Sequence, residues 1–187
     1  MNLKLKVVTI ATLLLLGVIG ASAQVTSGGA LAVSATVQGS INLVFNSDGS
    51  GKALTSGAGT STATLDFGTV SAYGSTCSTT GVLSGGVTCT LGSGNFTVST
   101  PFDVQVSKAN SASTNYTLTA QLGTTDNANT WKVAGATVVS GSAATITSTG
   151  SYGSNASNTL ALTIPTTGTG STPGTISNTL NFTATAN

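Results

Sequence analysis

The sequence predicts an all-β fold, a two-sheet β-sandwich, on three observations. Apolar residues recur at every second position in segment after segment, as in Tyr116, Leu118, Ala120 and Leu122 or Leu160, Leu162 and Ile164, which is the period of a strand with one buried face. After the first 23 residues no apolar spacing of i, i+3, i+4, i+7 persists, so no amphipathic helix is expected. Clusters of Gly, Ser, Asn and Asp separate the runs at short intervals, and a chain of this length suits one core built from about seven to ten short strands.

The first stretch is set apart from the fold. Lys4 and Lys6 precede an apolar run over 7–19, interrupted by Thr9, Thr12 and Gly17, and Ala21-Ser22-Ala23 supplies a small-x-small cleavage pattern. That is a secretory signal peptide, 1–23, with cleavage expected between Ala23 and Gln24. The run is short of the roughly 20 apolar residues that a membrane anchor needs. One domain, 24–187, is then expected, secreted and without a transmembrane span.

Residues 24–30 are small and polar and read as a flexible lead-in. The run that follows organises the chain: Leu31, Val33, Ala35, Val37, Gly39, Ile41, Leu43 and Phe45 fall on one face. If unbroken it would extend about 50 Å, so a bend or bulge is expected at Gly39. A turn over 46–51 follows, then a short strand over 64–70 (TLDFGTV) that stops at Gly68. Between 71 and 94 the first half reads as loop and the second, with Val87, Cys89 and Leu91, as strand. Phe96 and Val98 precede a break at Pro101, after which Phe102, Val104 and Val106 resume the alternation. The clear strand of Tyr116–Leu122 comes next, then a turn over 126–129 into Trp131 and Val133, and weaker runs over 136–139 and 144–147. Residues 152–158 read as loop. Leu160 to Ile164 form a strand ended by Pro165, and the last run carries Ile176, Leu180, Phe182, Ala184 and Ala186.

Without the leader, three lysines (Lys52, Lys108, Lys132) stand against four aspartates (Asp48, Asp66, Asp103, Asp126), and there is no Arg, Glu or His. No basic stripe exists, which argues against nucleic acid as a partner. Charged residues are 5% of the chain, against roughly 25% in ordinary soluble domains, so its surface is one of Thr, Ser and Asn that repels neighbours weakly. Cys77 and Cys89 are the only cysteines. In an oxidising compartment a disulfide is the default, closing a small loop worth about 3 kcal/mol.

Catalytic chemistry lacks its usual residues. With neither His nor Glu, and with Asp66 and Asp103 at outward strand positions, no enzyme and no cofactor is expected. A hydrolase would need two of the four aspartates to meet in a cleft. Asn46-x-Asp48-Gly49-Ser50 has the start of an oxygen-ligand loop, but no second carboxylate follows at useful spacing, and an Asp-Gly turn is the preferred reading. Trp131, Tyr73, Tyr116 and Tyr152 would bind sugar rings if exposed in a row. Tyr116 and Trp131 lie on apolar strand faces, which places them in the core instead.

The segments LAVSATVQGSI, LDFGTV and NTLNFTATAN resemble the beginning, second strand and last strand of spore coat protein U-type domains, the family that includes archaic chaperone-usher pilins. The resemblance covers the two ends. It departs where that family usually has a cysteine soon after the opening strand: this chain has Ser40 and its neighbours there. It implies an incomplete immunoglobulin-like sandwich, completed by an N-terminal extension from a neighbouring subunit, with subunits forming thin surface fibres. It also implies a periplasmic chaperone and an outer-membrane usher as partners, and passage through the periplasm to the cell surface. Residues 24–38 would be the donated extension. Leu31, Val33, Ala35, Val37, Ile41 and Leu43 would be the assembly strand, and Leu180 and Phe182 part of the closing one. The rival expectation is a free-standing adhesin or carbohydrate-binding sandwich.

Overall fold

The computed structural model describes residues 32–49, 54–73, 76–80, 86–167 and 174–187. The expected leader, the lead-in and Leu31 lie outside them. Contacts divide the chain into 1–36 and 37–187. In the first unit, residues 32–36 have no regular secondary structure and every side chain is exposed.

The second unit is all β among its described residues. Its strands are β1 (Ser40–Asn46), β2 (Thr69–Tyr73), β3 (Thr76–Thr80), β4 (Thr88–Gly92), β5 (Asn95–Ala109), β6 (Tyr116–Leu122), β7 (Thr130–Val133), β8 (Ala136–Val138), β9 (Ala144–Gly150), β10 (Asn155–Pro165) and β11 (Leu180–Ala186). One sheet has the order β1-β5-β10-β7-β8, with β4 sharing β5 with β1; the other has the order β11-β6-β9; β2 and β3 form a hairpin. The two sheets share a single core. Val98, Phe102, Val104, Val106, Trp131, Leu160 and Leu162 from the first meet Tyr116, Leu118, Ala120 and Leu122 from the second.

Strand β5 holds the first sheet together, and it does not break at Pro101 as the sequence suggested. On one side it pairs with β10 along Asn95–Gln105. On the other, β4 pairs with Asn95–Ser99 and β1 with Asp103–Ala109, leaving an interval around Pro101 where no strand lies alongside. The Thr159 carbonyl opposite Pro101 accepts from the Ala134 amide, 2.9 Å away. Thr159 therefore turns its backbone toward β7, and Pro101 turns its nitrogen toward the empty interval. The missing N–H costs no ladder bond there.

Three other expectations are corrected. The opening run is not one long strand: β1 starts at Ser40, because no neighbouring strand among the described residues takes the backbone hydrogen bonds of 32–39. Gly39 marks a close approach and not a bulge, since a Cβ there would sit 2.9 Å from the Asn110 carbonyl oxygen. The segment 64–70 turns at Gly68, whose φ is 74°, and its strand β2 lies after that glycine. Leu65 and Phe67 still pack against the core. The first half of the cysteine region is the β2-β3 hairpin and not a loop.

The turn over 126–129 is built on one carboxylate. Asp126 Oδ1 accepts from the Ala128 and Asn129 amides, both at 3.0 Å, and Oδ2 accepts from Trp131 Nε1 at 2.7 Å. Burial works against its charged form, but the hydrogen bonds from Trp131, Asn129 and Ala128 outweigh that and hold the carboxyl below the ordinary 3.8. A folded pKa below the unfolded one gives stability that is complete above the unfolded value and is lost as pH falls through the folded one. Asp126→Ala is expected to cost about 1.5–3 kcal/mol in urea unfolding at neutral pH. The gap to the natural chain should shrink as the pH is taken below about 4.

Candidate functional site

The sandwich has two lateral sides, and the chain treats them differently. On one side the chain passes from β8 to β9 through 139–143, and the Leu122 amide donates to the Val139 carbonyl at 3.1 Å. Strand β8 is only three residues long, and the pairing of β9 with β6 is irregular. Short and bulged edges resist pairing with foreign strands.

On the other side lie β1 and β11. Each is seven residues long, each pairs with one strand only, and neither SINLVFN nor LNFTATA contains Lys, Pro or an irregular register. These are unguarded edges. At Phe45 the outer edge of β1 is occupied: its amide donates to the Thr60 carbonyl at 2.8 Å, and its carbonyl accepts from the Gly59 amide at 2.6 Å. Backbone groups of alternate residues point the same way, so Leu43 and Ile41 also turn theirs outward. No strand among the described residues lies there to receive them.

The apolar residues beneath these edges are only partly covered. Ile41, Leu43, Leu180, Phe182 and Ala184 pack against the core but remain half-buried. Phe45, Phe102 and Phe182 close one end, with ring centroids 5.3 Å apart for Phe45 and Phe182 and 5.8 Å for Phe102 and Phe182, both edge-on. The result is an apolar slot flanked by two backbone edges, the geometry that accepts an added strand.

The expected assembly residues divide into two sets. Ile41 and Leu43 are in β1, on the core side of their own sandwich. Val33 and Val37 are 83% and 71% exposed, and Ala35 is exposed as well. Leu180 and Phe182 lie in β11, beside the slot. No family model, curated protein or solved structure matches the chain.

Cys77 and Cys89 are bonded and join β3 to β4, tying the β2-β3 hairpin to the first sheet. Loss of this link through Cys77→Ser is expected to lower stability by about 3 kcal/mol, read as a shifted denaturant midpoint without and with reductant. Tyr116 and Trp131 are buried. The Tyr152 hydroxyl donates to the Asn115 carbonyl at 3.1 Å, and Lys108 sits over its ring. The side chain of Tyr73 lies outside the described residues. These aromatics form no exposed row among the described residues.

Of the four aspartates, Asp66 is exposed and accepts from the Gly68 amide at 2.8 Å, and Asp126 serves its own turn. Asp103 corrects the reading of an outward, solvated position. It does point to the outer face of the sheet, between Asn46 of β1 and Ser157 of β10 in register, yet it is 4% exposed. The reason is a roof. Asn46 Nδ2 donates to Asn155 Oδ1 at 2.9 Å, and Ser157 Oγ donates to Asp48 Oδ1 at 3.0 Å; both links run from the β1 side to β10, across β5. No local spacing in the sequence announces this meeting of Asp48 and Asp103.

Proposed function

We propose that the protein is a secreted, surface-exposed structural subunit that assembles by β-strand addition, with the alternating segment 31–37 of one copy lying in the slot between β1 and β11 of the next. The observation that carries this reading is the pairing of two unsatisfied features in one chain. Residues 32–39 present apolar side chains at every second position to solvent with no strand partner, and β11 presents an unguarded edge over half-buried Leu180, Phe182 and Ala184.

The dimensions agree. A seven-residue strand extends about 23 Å, which is the length of both 31–37 and β11. Main-chain bonds to the edges supply affinity, and Leu31, Val33, Ala35 and Val37 supply the side chains for the slot. The low charge of the chain suits close packing between copies. The resemblance of the two ends to spore coat protein U-type domains supports the same assignment, and with it a periplasmic chaperone and an outer-membrane usher as the delivery partners. The structure has no helix long and apolar enough to cross a membrane among the described residues.

The test is electrophoresis of the purified chain in detergent with and without heating. Strand addition gives a ladder of multiples that collapses to one band on heating. A single band in both lanes, at concentrations up to about 0.1 mM, contradicts it.

A further inference from the structure

The cluster beneath the Asn46–Asn155 and Asp48–Ser157 links is a second feature, independent of strand addition. Asp103 Oδ1 is buried and has no hydrogen-bond partner, although the residue as a whole is 4% exposed. An ionised carboxylate is a costly group to bury with an oxygen unsatisfied. Here a second carboxylate, Asp48, is brought over it from the turn after β1, which adds repulsion. Burial first, and the charge of Asp48 second, push the Asp103 carboxyl above its ordinary 3.8, while hydrogen bonds from Ser157 and Asn155 offset part of this. A fold that gathers two carboxylates around a bare buried oxygen has a site for positive charge.

The surrounding atoms identify which charge fits. Around Asp103 stand the Asp48 carboxylate, the Ser157 hydroxyl, and the amide side chains of Asn155 and Asn46. All offer oxygen. No sulfur or imidazole is present, which excludes the softer transition metals. Mixed carboxylate, amide and hydroxyl oxygens on separate strands and a turn make a loose, high-coordination shell, which suits calcium better than magnesium with its near-ideal octahedron. Asn46 to Ser50 supplies one half of the shell, and β5 and β10 supply the half that local spacing lacks.

We propose that Asp48, Asp103, Asn155 and Ser157 bind a calcium ion on the outer face of the first sheet, with Asp103 Oδ1 as the ligand at its base. Two carboxylates give a weak site of the extracellular kind, with Kd of about 0.1–1 mM. Binding to the folded state alone ties the turn after β1 to β10 and stabilises the sandwich.

The experiment is calcium titration of the full chain by calorimetry, paired with melting curves at neutral pH in calcium, magnesium or chelator. Calcium at about 10 mM is expected to raise the melting midpoint by about 3–8 °C. Asp103→Asn keeps the shape and removes the buried charge. It should melt higher than the natural chain in chelator, bind calcium at least about tenfold more weakly, and lose the calcium-dependent rise. Asp48→Asn, on the accessible turn, should lose the rise too and serves if Asp103→Asn does not fold. Two results overturn the proposal: no calcium response in the natural chain, or an equal response in the natural chain and both variants. A magnesium response equal to that of calcium overturns the choice of ion.

Discussion

Val37→Asp is expected to abolish the heat-sensitive ladder while leaving the folded subunit intact. Val37 is 71% exposed and lies ahead of β1, so within its own chain it buries little, and exposed substitutions of this kind stay within about 0.5 kcal/mol. The melting midpoint of the single subunit should move by no more than about 2 °C. In a neighbour's slot the same carboxylate would enter an apolar channel without a partner, a loss of several kcal/mol and thus a drop of about a thousandfold or more in association. Val33→Asp should behave alike. Ile41→Asp supplies the contrast: Ile41 packs against the core of its own sandwich, so the change should destabilise the subunit itself by about 2 kcal/mol or more. Size-exclusion chromatography with melting curves on the same samples separates the two effects. If Val37→Asp and Ile41→Asp unfold alike, the opening run is an internal strand throughout and the division at Gly39 is wrong.

The second large effect concerns the opposite sheet. Gly150, at the end of β9, lies against the ring of Tyr116, and a Cβ there would fall 2.3 Å from Cζ, 2.4 Å from Cε2 and 2.7 Å from Cε1. Tyr116 is fully buried and stacks at a tilt on Tyr152, 5.4 Å between centroids, so its ring has nowhere to go. Gly150→Ala should therefore cost about 3 kcal/mol or more, at the upper end for overpacking. The Tyr116 hydroxyl is buried without a hydrogen-bond partner. Tyr116→Phe should accordingly be neutral or stabilising by up to about 1 kcal/mol, because it removes an unsatisfied polar group. Tyr116→Phe should not rescue Gly150→Ala, since the clash is with ring carbons and not with the hydroxyl. Urea unfolding of the two single variants and the double variant measures this directly.

The inward faces of most strands were legible because burial imposes a two-residue period that local sequence must obey: Tyr116 to Leu122, Leu160 to Ile164 and Leu180 to Ala184 all fall as their spacing indicates. What spacing does not carry is the identity of the neighbour. The alternation over 31–37 is as regular as that over 39–45, yet only the second has β5 beside it, so one is strand and the other is not. Pro101 reads as a breaker from its own chemistry, and becomes tolerable only because β4 and β1 leave an interval on that edge. Asp103 reads as solvated from its parity, and is buried because side chains from β1 and β10 meet above it. The slot follows the same logic: Leu180 and Phe182 were recognisable as core-facing, but their incomplete cover depends on β11 being an edge, a property of sheet order alone.

The central claim is that the outer edge of β11 receives a strand from another copy, and amide hydrogen exchange across Leu180–Ala186 tests it most directly. In the assembled natural chain the β11 amides that point away from β6 should exchange at least about a hundredfold more slowly than the same amides in Val37→Asp, because an added strand protects what water otherwise reaches. Equal and rapid exchange of those amides in both samples, with the natural chain assembled, would contradict the account.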